Sequence, residues 1–299
     1  MTLYHGDTLD VLPHIESASV DAIISDPPYP EIDRAYGRLT EFQWSILMKV
    51  VCHQSRRILK PGGSAVFVLQ PNSRKVGSMR GWLFEFQAWV CREWNMVQDV
   101  WWWNPIVLPS SGATNHSLLR GSVKSCVWAG EPSCYRNQGA ILWMESERNA
   151  AYRQTYRAGR QYSISGHSVN QKKCADSALK RGGVTPFNLV PLTHGAGQTS
   201  SGALGHGAGT PLSLADWWTR YIVPDNGVIL DPFVGAGTMM LAGLLRGHTV
   251  IGVDKECEYL DITIERCESA EKQRRGEWHI RPGHSKPKPA PEGQLELFK

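Results

Sequence analysis

Residues 20–25, Val-Asp-Ala-Ile-Ile-Ser, form a short apolar run closed by the turn-forming Asp26-Pro27-Pro28-Tyr29-Pro30. That pattern predicts a buried strand with Asp26 at its end. From Thr40 to Leu59, apolar residues recur at spacings of three and four (Phe42, Ile46, Leu47, Val50, Val51, Ile58). With Thr40 as N-cap and Pro61-Gly62-Gly63 as stop, this predicts a helix. Residues 64–69 read as a second apolar strand, and strand-helix-strand order implies a parallel sheet with helices on its faces. The expected fold class is therefore α/β. Residues 97–103 and 123–128 read as strands flanking a long loop at 104–117, rich in Pro, Ser, Gly and Asn. Loops of that length inside a sheet tend to carry function. Periodicity is lost over 135–185, and 193–210 is a Gly/Ser/His-rich connector. It returns with a helix near 211–222, a strand at 228–230, a glycine-rich turn at 233–238, a helix at 238–246, a strand at 249–253 and a helix from 256 to about 272. The chain thus divides into a first core part (1–134), an insertion (135–190), a second core part (191–275) and a Pro/Lys-rich tail (276–299).

Composition changes this picture little. The 299 residues are 41% apolar and 20% charged, ordinary for a globular protein, and the apolar runs fall well short of the roughly 20 residues a membrane span needs. The first residues have no basic stretch followed by an apolar one, so a cytoplasmic location is expected. Seven scattered cysteines with no Cys-x-x-Cys pair argue against disulfides or zinc. His116, His167, His194, His206 and His248 have no metal-site spacing, so no metal is expected.

Charge is more telling. Of the net +4, residues 149–181 hold seven Lys/Arg (Arg153, Arg157, Arg160, Lys172, Lys173, Lys180, Arg181) against Asp176 alone. Interleaved with Tyr152, Tyr156, Tyr162 and His167, this segment suits a phosphate backbone or a solvated face. Residues 1–30 are the reverse, with five acids and no Lys or Arg.

Two constellations carry candidate chemistry. Leu230-Asp231-Pro232-Phe233-Val234-Gly235-Ala236-Gly237-Thr238 follows a strand and opens a helix, so backbone can approach a cofactor closely. It departs from both the phosphate-binding loop and Gly-x-Gly-x-x-Gly, which disfavours ATP and NAD. Asp254 ends the next apolar strand, placed to accept hydrogen bonds from both ribose hydroxyls of an adenosine-type cofactor. Asp26-Pro27-Pro28-Tyr29 suits a planar amino group. An exocyclic amine has its lone pair delocalised into the ring; Asp26 can accept one N–H and the Pro27 carbonyl the other, biasing the nitrogen toward tetrahedral geometry. Pro28 helps fix the turn, and Tyr29 can stack on an extruded base.

These residues together resemble the amino-group DNA methyltransferases that use S-adenosylmethionine, in the permuted beta order of catalytic motif, recognition region and cofactor motif. Ser25-Asp26-Pro27-Pro28-Tyr29 and Asp231-Pro232-Phe233-Val234-Gly235-Ala236-Gly237-Thr238 carry the likeness. His5-Gly6-Asp7-Thr8-Leu9, Leu59-Lys60-Pro61-Gly62-Gly63, Trp103-Asn104-Pro105 and Val253-Asp254 extend it over residues 3–270. The resemblance implies a Rossmann-like fold with a circularly permuted, seven-stranded, mostly parallel sheet. It implies direct methyl transfer by Asp26, Pro27, Pro28 and Tyr29, with no covalent enzyme intermediate. Asp7, Thr210, Asp231, Phe233, Gly235, Gly237, Thr238 and Asp254 would bind the cofactor. Asn104 would help hold the flipped base. The basic region (Arg153, Arg157, Arg160, Lys172, Lys173, Arg181) would contact double-stranded DNA, by phosphate or by guanine. One match departs: the family's His-Pro-x-x-Lys-Pro stands here as His206-Gly207-Ala208-Gly209-Thr210-Pro211.

Asp at position 26 leans toward adenine, with the cytosine amino group or RNA as rival acceptors and a catalytically idle DNA-binding regulator as a rival class. A homodimer is expected by resemblance. Gln294-Leu295-Glu296-Leu297-Phe298, after a tail with Lys286 and Lys288 among prolines, resembles the peptide by which replication and repair proteins dock into the sliding clamp, with Gln294, Leu295, Leu297 and Phe298 as anchors. Folding back onto the core is the other reading.

Overall fold

The computed structural model describes residues 1–34, 37–104, 121–143, 180–192 and 210–274. Ten strands and six helices of the described residues carry the fold. They are β1 (Thr2–His5), α1 (Thr8–Val11), β2 (Val20–Ser25), α2 (Glu41–Ile58), β3 (Leu59–Leu69), β4 (Ser73–Lys75), β5 (Ser78–Met79), α3 (Trp82–Glu93), β6 (Met96–Trp103), β7 (Val123–Gly130), β8 (Leu189–Pro191), α4 (Leu212–Ile222), β9 (Val228–Asp231), α5 (Thr238–Leu245), β10 (Thr249–Asp254) and α6 (Cys257–Arg274). Eight strands form one sheet in the order β1-β10-β9-β2-β3-β7-β6-β8, while β4 and β5 pair as a separate hairpin.

Within the eight-stranded sheet, pairing is parallel from β1 through to β3 and again between β6 and β8, and the two pairs made by β7 are antiparallel. The sheet is therefore mostly parallel, as expected, but it has eight strands rather than seven. The additional one is β8, three residues beside Trp101–Trp103. A three-residue edge strand ending in proline has no alternation to reveal it.

Both faces are covered, so the inner strands are continuous apolar runs. Ala22, Ile24, Val66 and Val68 pack with α4 and α5 on one face; Ile23, Ala65, Phe67 and Leu69 pack with α2 and α3 on the other. Helix α2 starts as expected: Thr40 accepts the Gln43 N–H while the Gln43 side chain accepts the Thr40 N–H, a reciprocal cap. Its end differs. Strand pairing begins at Leu59, opposite Val20, and resumes at Ser64 opposite Ala22. Residues 60–63 are thus an excursion within β3 rather than a stop before it, held by a 2.7 Å bond from Lys60 Nζ to Asp21.

From β2 the chain moves through α2 to β3, and from β9 it moves through α5 to β10 on the other side. Strand order therefore reverses between β2 and β9, which pair through Ala22↔Ile229 and Ile23↔Leu230. In open α/β sheets the crevice at such a reversal, beyond the carboxyl ends of the strands, is the ligand site. Asp26 and Asp231 stand there. No helix among the described residues is long and apolar enough to cross a membrane.

Candidate active site

The crevice is a cavity of about 910 Å³ lined by the Asp26–Tyr29 turn, the 231–236 loop, Asp7, Thr210, Thr238 and Asp254. It brings together residues from opposite ends of the chain.

At the cofactor end, Asp254 holds the glycine-rich loop. Its Oδ2 accepts the Gly235 N–H at 2.7 Å and its Oδ1 accepts the Glu256 N–H at 2.9 Å. Asp254 also lines the cavity. The loop follows a backbone path that needs glycine, with Gly235 at φ 52° and Gly237 at φ 73°. A Cβ on Gly237 would lie 2.5 Å from Thr263 Oγ1. Gly237 thus lets α6 close on the loop, and it is Gly235, Ala236 and Thr238 that line the cavity. Arg266 closes the other side by donating to the Ala236 carbonyl. Asp7 caps α1 through the Leu9 N–H at 2.8 Å and faces the same cavity. A pocket lined by the Asp254 carboxylate, close backbone and the Phe233 side chain fits an adenosine-bearing cofactor.

Between the two ends lies Asp231, 2% exposed. The Ser25 hydroxyl donates to its Oδ1 at 2.6 Å and the Phe233 N–H at 3.0 Å. Burial pushes its pKa up to about 7 against the lowering effect of those two bonds, and the charges of Asp254 and Asp26 add to the rise. A carboxyl raised in the folded state costs stability once the unfolded chain ionises and the folded one does not. Its contribution is full below the ordinary carboxyl range and is lost as pH climbs to about 7. Asp231→Asn, a permanent mimic of the protonated form, should therefore gain stability relative to the wild type between pH 5 and pH 7 and level off above. Paired denaturation midpoints across that range check this, and a pH-independent difference would refute it.

At the catalytic end, Asp26 is a shared acceptor. Tyr29 donates its hydroxyl to Oδ1 at 2.5 Å, Thr210 donates to Oδ2 at 2.5 Å, and Lys124 Nζ lies 3.5 Å from Oδ2. Lys124 also donates to the Tyr29 oxygen at 3.0 Å. The turn is braced from below, because the indole N–H of the buried Trp44 donates to the Pro28 carbonyl at 2.6 Å. Asn72 donates to the Pro30 carbonyl at 2.7 Å and accepts from Trp82, whose ring stacks at 6.5 Å from Tyr29.

The structure thus brings the sequence-assigned Asp7, Asp26, Pro27, Pro28, Tyr29, Thr210, Asp231, Phe233, Gly235, Thr238 and Asp254 onto one cavity. Thr210 faces the Asp26 carboxylate. Asn104 follows β6, its N–H bonded to the Ser122 carbonyl, and does not line the cavity. Arg181 is exposed at the start of the second described stretch of the insertion. Arg153, Arg157, Arg160, Lys172, Lys173 and the 294–298 peptide lie outside the described residues. Of the three consecutive tryptophans Trp101–Trp103 that end β6, the buried Trp102 neighbours the site, with Lys124 Nζ 5.5 Å from its ring, while Trp103 is 39% exposed. Lys124 itself is the residue that motif reasoning misses. Its signal is a single cation inside the apolar run Val123-Lys124-Ser125-Cys126-Val127-Trp128.

Comparison with known proteins agrees with this geometry. The chain is 25% identical over 277 residues to the type II methyltransferase M.ScaI of Streptomyces caespitosus, covering 89% of this chain and 81% of that one. Its fold matches the PvuII DNA methyltransferase, described as cytosine-N4-specific, with a TM-score of 0.67 at 17% identity over 99% of this chain and 90% of that one. It matches the M1.HpyAVI–SAM complex with a TM-score of 0.55 at 16% identity, covering 89% and 98%. Residues 20–265 match the N6_N4_Mtase family, described as DNA methylase, and the chain belongs to that family, whose methyl donor is S-adenosylmethionine.

Proposed function

We propose that this protein is a site-specific DNA adenine methyltransferase acting on the exocyclic amino group of an adenine flipped out of the duplex. The observation that carries the reading is the single cavity on which the Asp26–Tyr29 turn and the Asp254-held loop meet. Asp7, Phe233, Gly235, Thr238 and Asp254 hold S-adenosylmethionine, which supplies a methyl group on a sulfonium. Asp26 accepts one amino N–H. Because the Pro28 carbonyl is already taken by Trp44, the Pro27 carbonyl is assigned the other. The amino nitrogen would gain a C–N bond as the C–S bond breaks, with the electron pair staying on sulfur as a thioether and one amino proton passing to water. Negative charge on Asp26 stabilises the positive charge that develops on nitrogen. Residues 135–190 are assigned to target recognition, with Arg153, Arg157, Arg160, Lys172, Lys173 and Arg181 on the DNA backbone.

A second reading keeps the chemistry and changes the base to cytosine. It draws on the likeness to the PvuII enzyme, described as cytosine-N4-specific. The two are separated by transferring radiolabelled methyl to mixed-sequence duplex DNA and identifying the labelled nucleoside by mass spectrometry. Label in N6-methyladenine supports adenine, label in N4-methylcytosine replaces it, and no label in DNA removes both. A homodimer and clamp docking through Gln294, Leu295, Leu297 and Phe298 belong to the same proposal. Light scattering of the full chain tests the first, and clamp binding by a truncation ending at Glu292 tests the second.

A further inference from the structure

Lys124 projects from an apolar strand into the catalytic end of the cavity, with a side chain 16% exposed. Its ammonium lies 5.4 Å from the Tyr29 ring centroid and 5.5 Å from that of Trp102, 3.0 Å from the Tyr29 oxygen and 3.5 Å from Asp26 Oδ2. A carboxylate offers about four acceptor directions. Among the described residues, three at Asp26 face donors: Tyr29 on Oδ1, and Thr210 and Lys124 on Oδ2. One direction on Oδ1 remains for an incoming N–H. An ammonium has three N–H donors, and Tyr29 and Asp26 account for two. The site therefore presents an acceptor and a cationic donor side by side.

That pair is the complement of an amino group beside an unprotonated ring nitrogen, the edge that adenine and cytosine share. Guanine and thymine carry a ring N–H at the corresponding position, which would meet the ammonium donor against donor. The ring nitrogen matters chemically as well. Its lone pair lies in the ring plane, outside the aromatic system, and it is a better nucleophile than the delocalised amine that is to be methylated. A hydrogen bond from an ammonium occupies that lone pair and places positive charge where a cationic methyl donor is repelled. Resting on the amino-methyltransferase reading above, we propose that Lys124 reads the ring nitrogen next to the target amine and, by occupying its lone pair, directs the methyl group to the exocyclic nitrogen.

The test is a cycle of substrate and enzyme changes in the sequence context that the wild type methylates. The target base is replaced by its analogue with carbon in place of that ring nitrogen, 1-deazaadenine or 3-deazacytosine. The wild type should lose about 10- to 100-fold in kcat/KM on the analogue, the usual range for a hydrogen bond to a charged group. Lys124→Met should lose a similar factor on the natural base and little more on the analogue. Any change in intrinsic amine reactivity affects both enzymes equally and cancels. Mass spectrometry of the Lys124→Met product should also reveal ring-methylated base, absent from the wild-type product, while affinity for S-adenosylmethionine stays within about twofold. Lys124→Gln, which keeps a neutral donor, should fall between them. A wild type indifferent to the analogue would overturn the proposal without reference to any variant. So would an equal analogue penalty in both enzymes, or a loss of cofactor affinity with base discrimination intact, which would direct the ammonium to the methyl donor instead. If the wild type methylates no DNA, the underlying functional reading falls first, and this role falls with it.

Discussion

Asp26→Ala should abolish methyl transfer to DNA, to below about one part in a thousand of wild type, while affinity for S-adenosylmethionine should change little. Removing one preorganised group that stabilises transition-state charge costs about 10²–10³-fold in other enzymes. Asp26 is placed for more, because the same carboxylate organises its neighbours. Without it, the Tyr29 hydroxyl loses its 2.5 Å acceptor, the Thr210 hydroxyl loses its own, and Lys124 keeps only the Tyr29 oxygen of its two named polar partners. An uncompensated ammonium would then face the amine on which positive charge must develop. The cofactor end is held independently, through Asp254 and the backbone of 235–256, so its affinity serves as the internal control. Single-turnover methylation with saturating cofactor, beside equilibrium cofactor binding, checks both halves. Parallel loss of transfer and cofactor binding would mean that Asp26 supports the fold of the crevice rather than the chemistry.

The reason this site was largely legible in sequence is that its two halves are local. Asp26 follows Val20–Ser25 and Asp254 follows Thr249–Val253, each a continuous apolar run ended by a carboxylate, and each flanked by a helix with ordinary spacing. Thr40 with Gln43 marks the start of α2 within four residues. What escaped is non-local or unpunctuated. The start of α3 at Trp82 is capped by Gly81 with no side-chain hydrogen bond, so nothing in the chain announces it. β1 is four residues of mostly exposed chain whose partner, β10, is about 250 positions away. Lys124 reaches Asp26 across 98 positions because β7 runs antiparallel beside β3, and the register Trp102↔Lys124 fixes which ring lies beneath it. Sheet order and register, rather than motif, decide that contact. Thr210 was legible by motif position, but its partner was not, since its hydroxyl meets a carboxylate 184 positions earlier.

The cofactor end yields the second large effect. Asp254→Ala should raise the dissociation constant for S-adenosylmethionine by about 100-fold or more, and transfer at subsaturating cofactor should fall in step. Two backbone donors, Gly235 N–H and Glu256 N–H, lose a charged acceptor at once. Hydrogen bonds to charged groups are worth about 1.5–3 kcal/mol each. Part of that loss falls on loop stability and part on the cofactor, because the Gly235 bond shapes the path along which backbone approaches it. Other links keep the loop in place: the Val234 N–H still donates to the Val253 carbonyl at 3.0 Å, and Thr263 still donates to the Gly235 carbonyl at 3.1 Å. The variant should therefore fold, with its denaturation midpoint lowered only modestly. Calorimetric titration of the cofactor distinguishes this from global damage. Saturating cofactor should restore much of the transfer rate to Asp254→Ala and none of it to Asp26→Ala, since the first residue holds the donor and the second acts at the amine. Rescue of both, or of neither, would contradict that division of the crevice into a binding end and a reacting end.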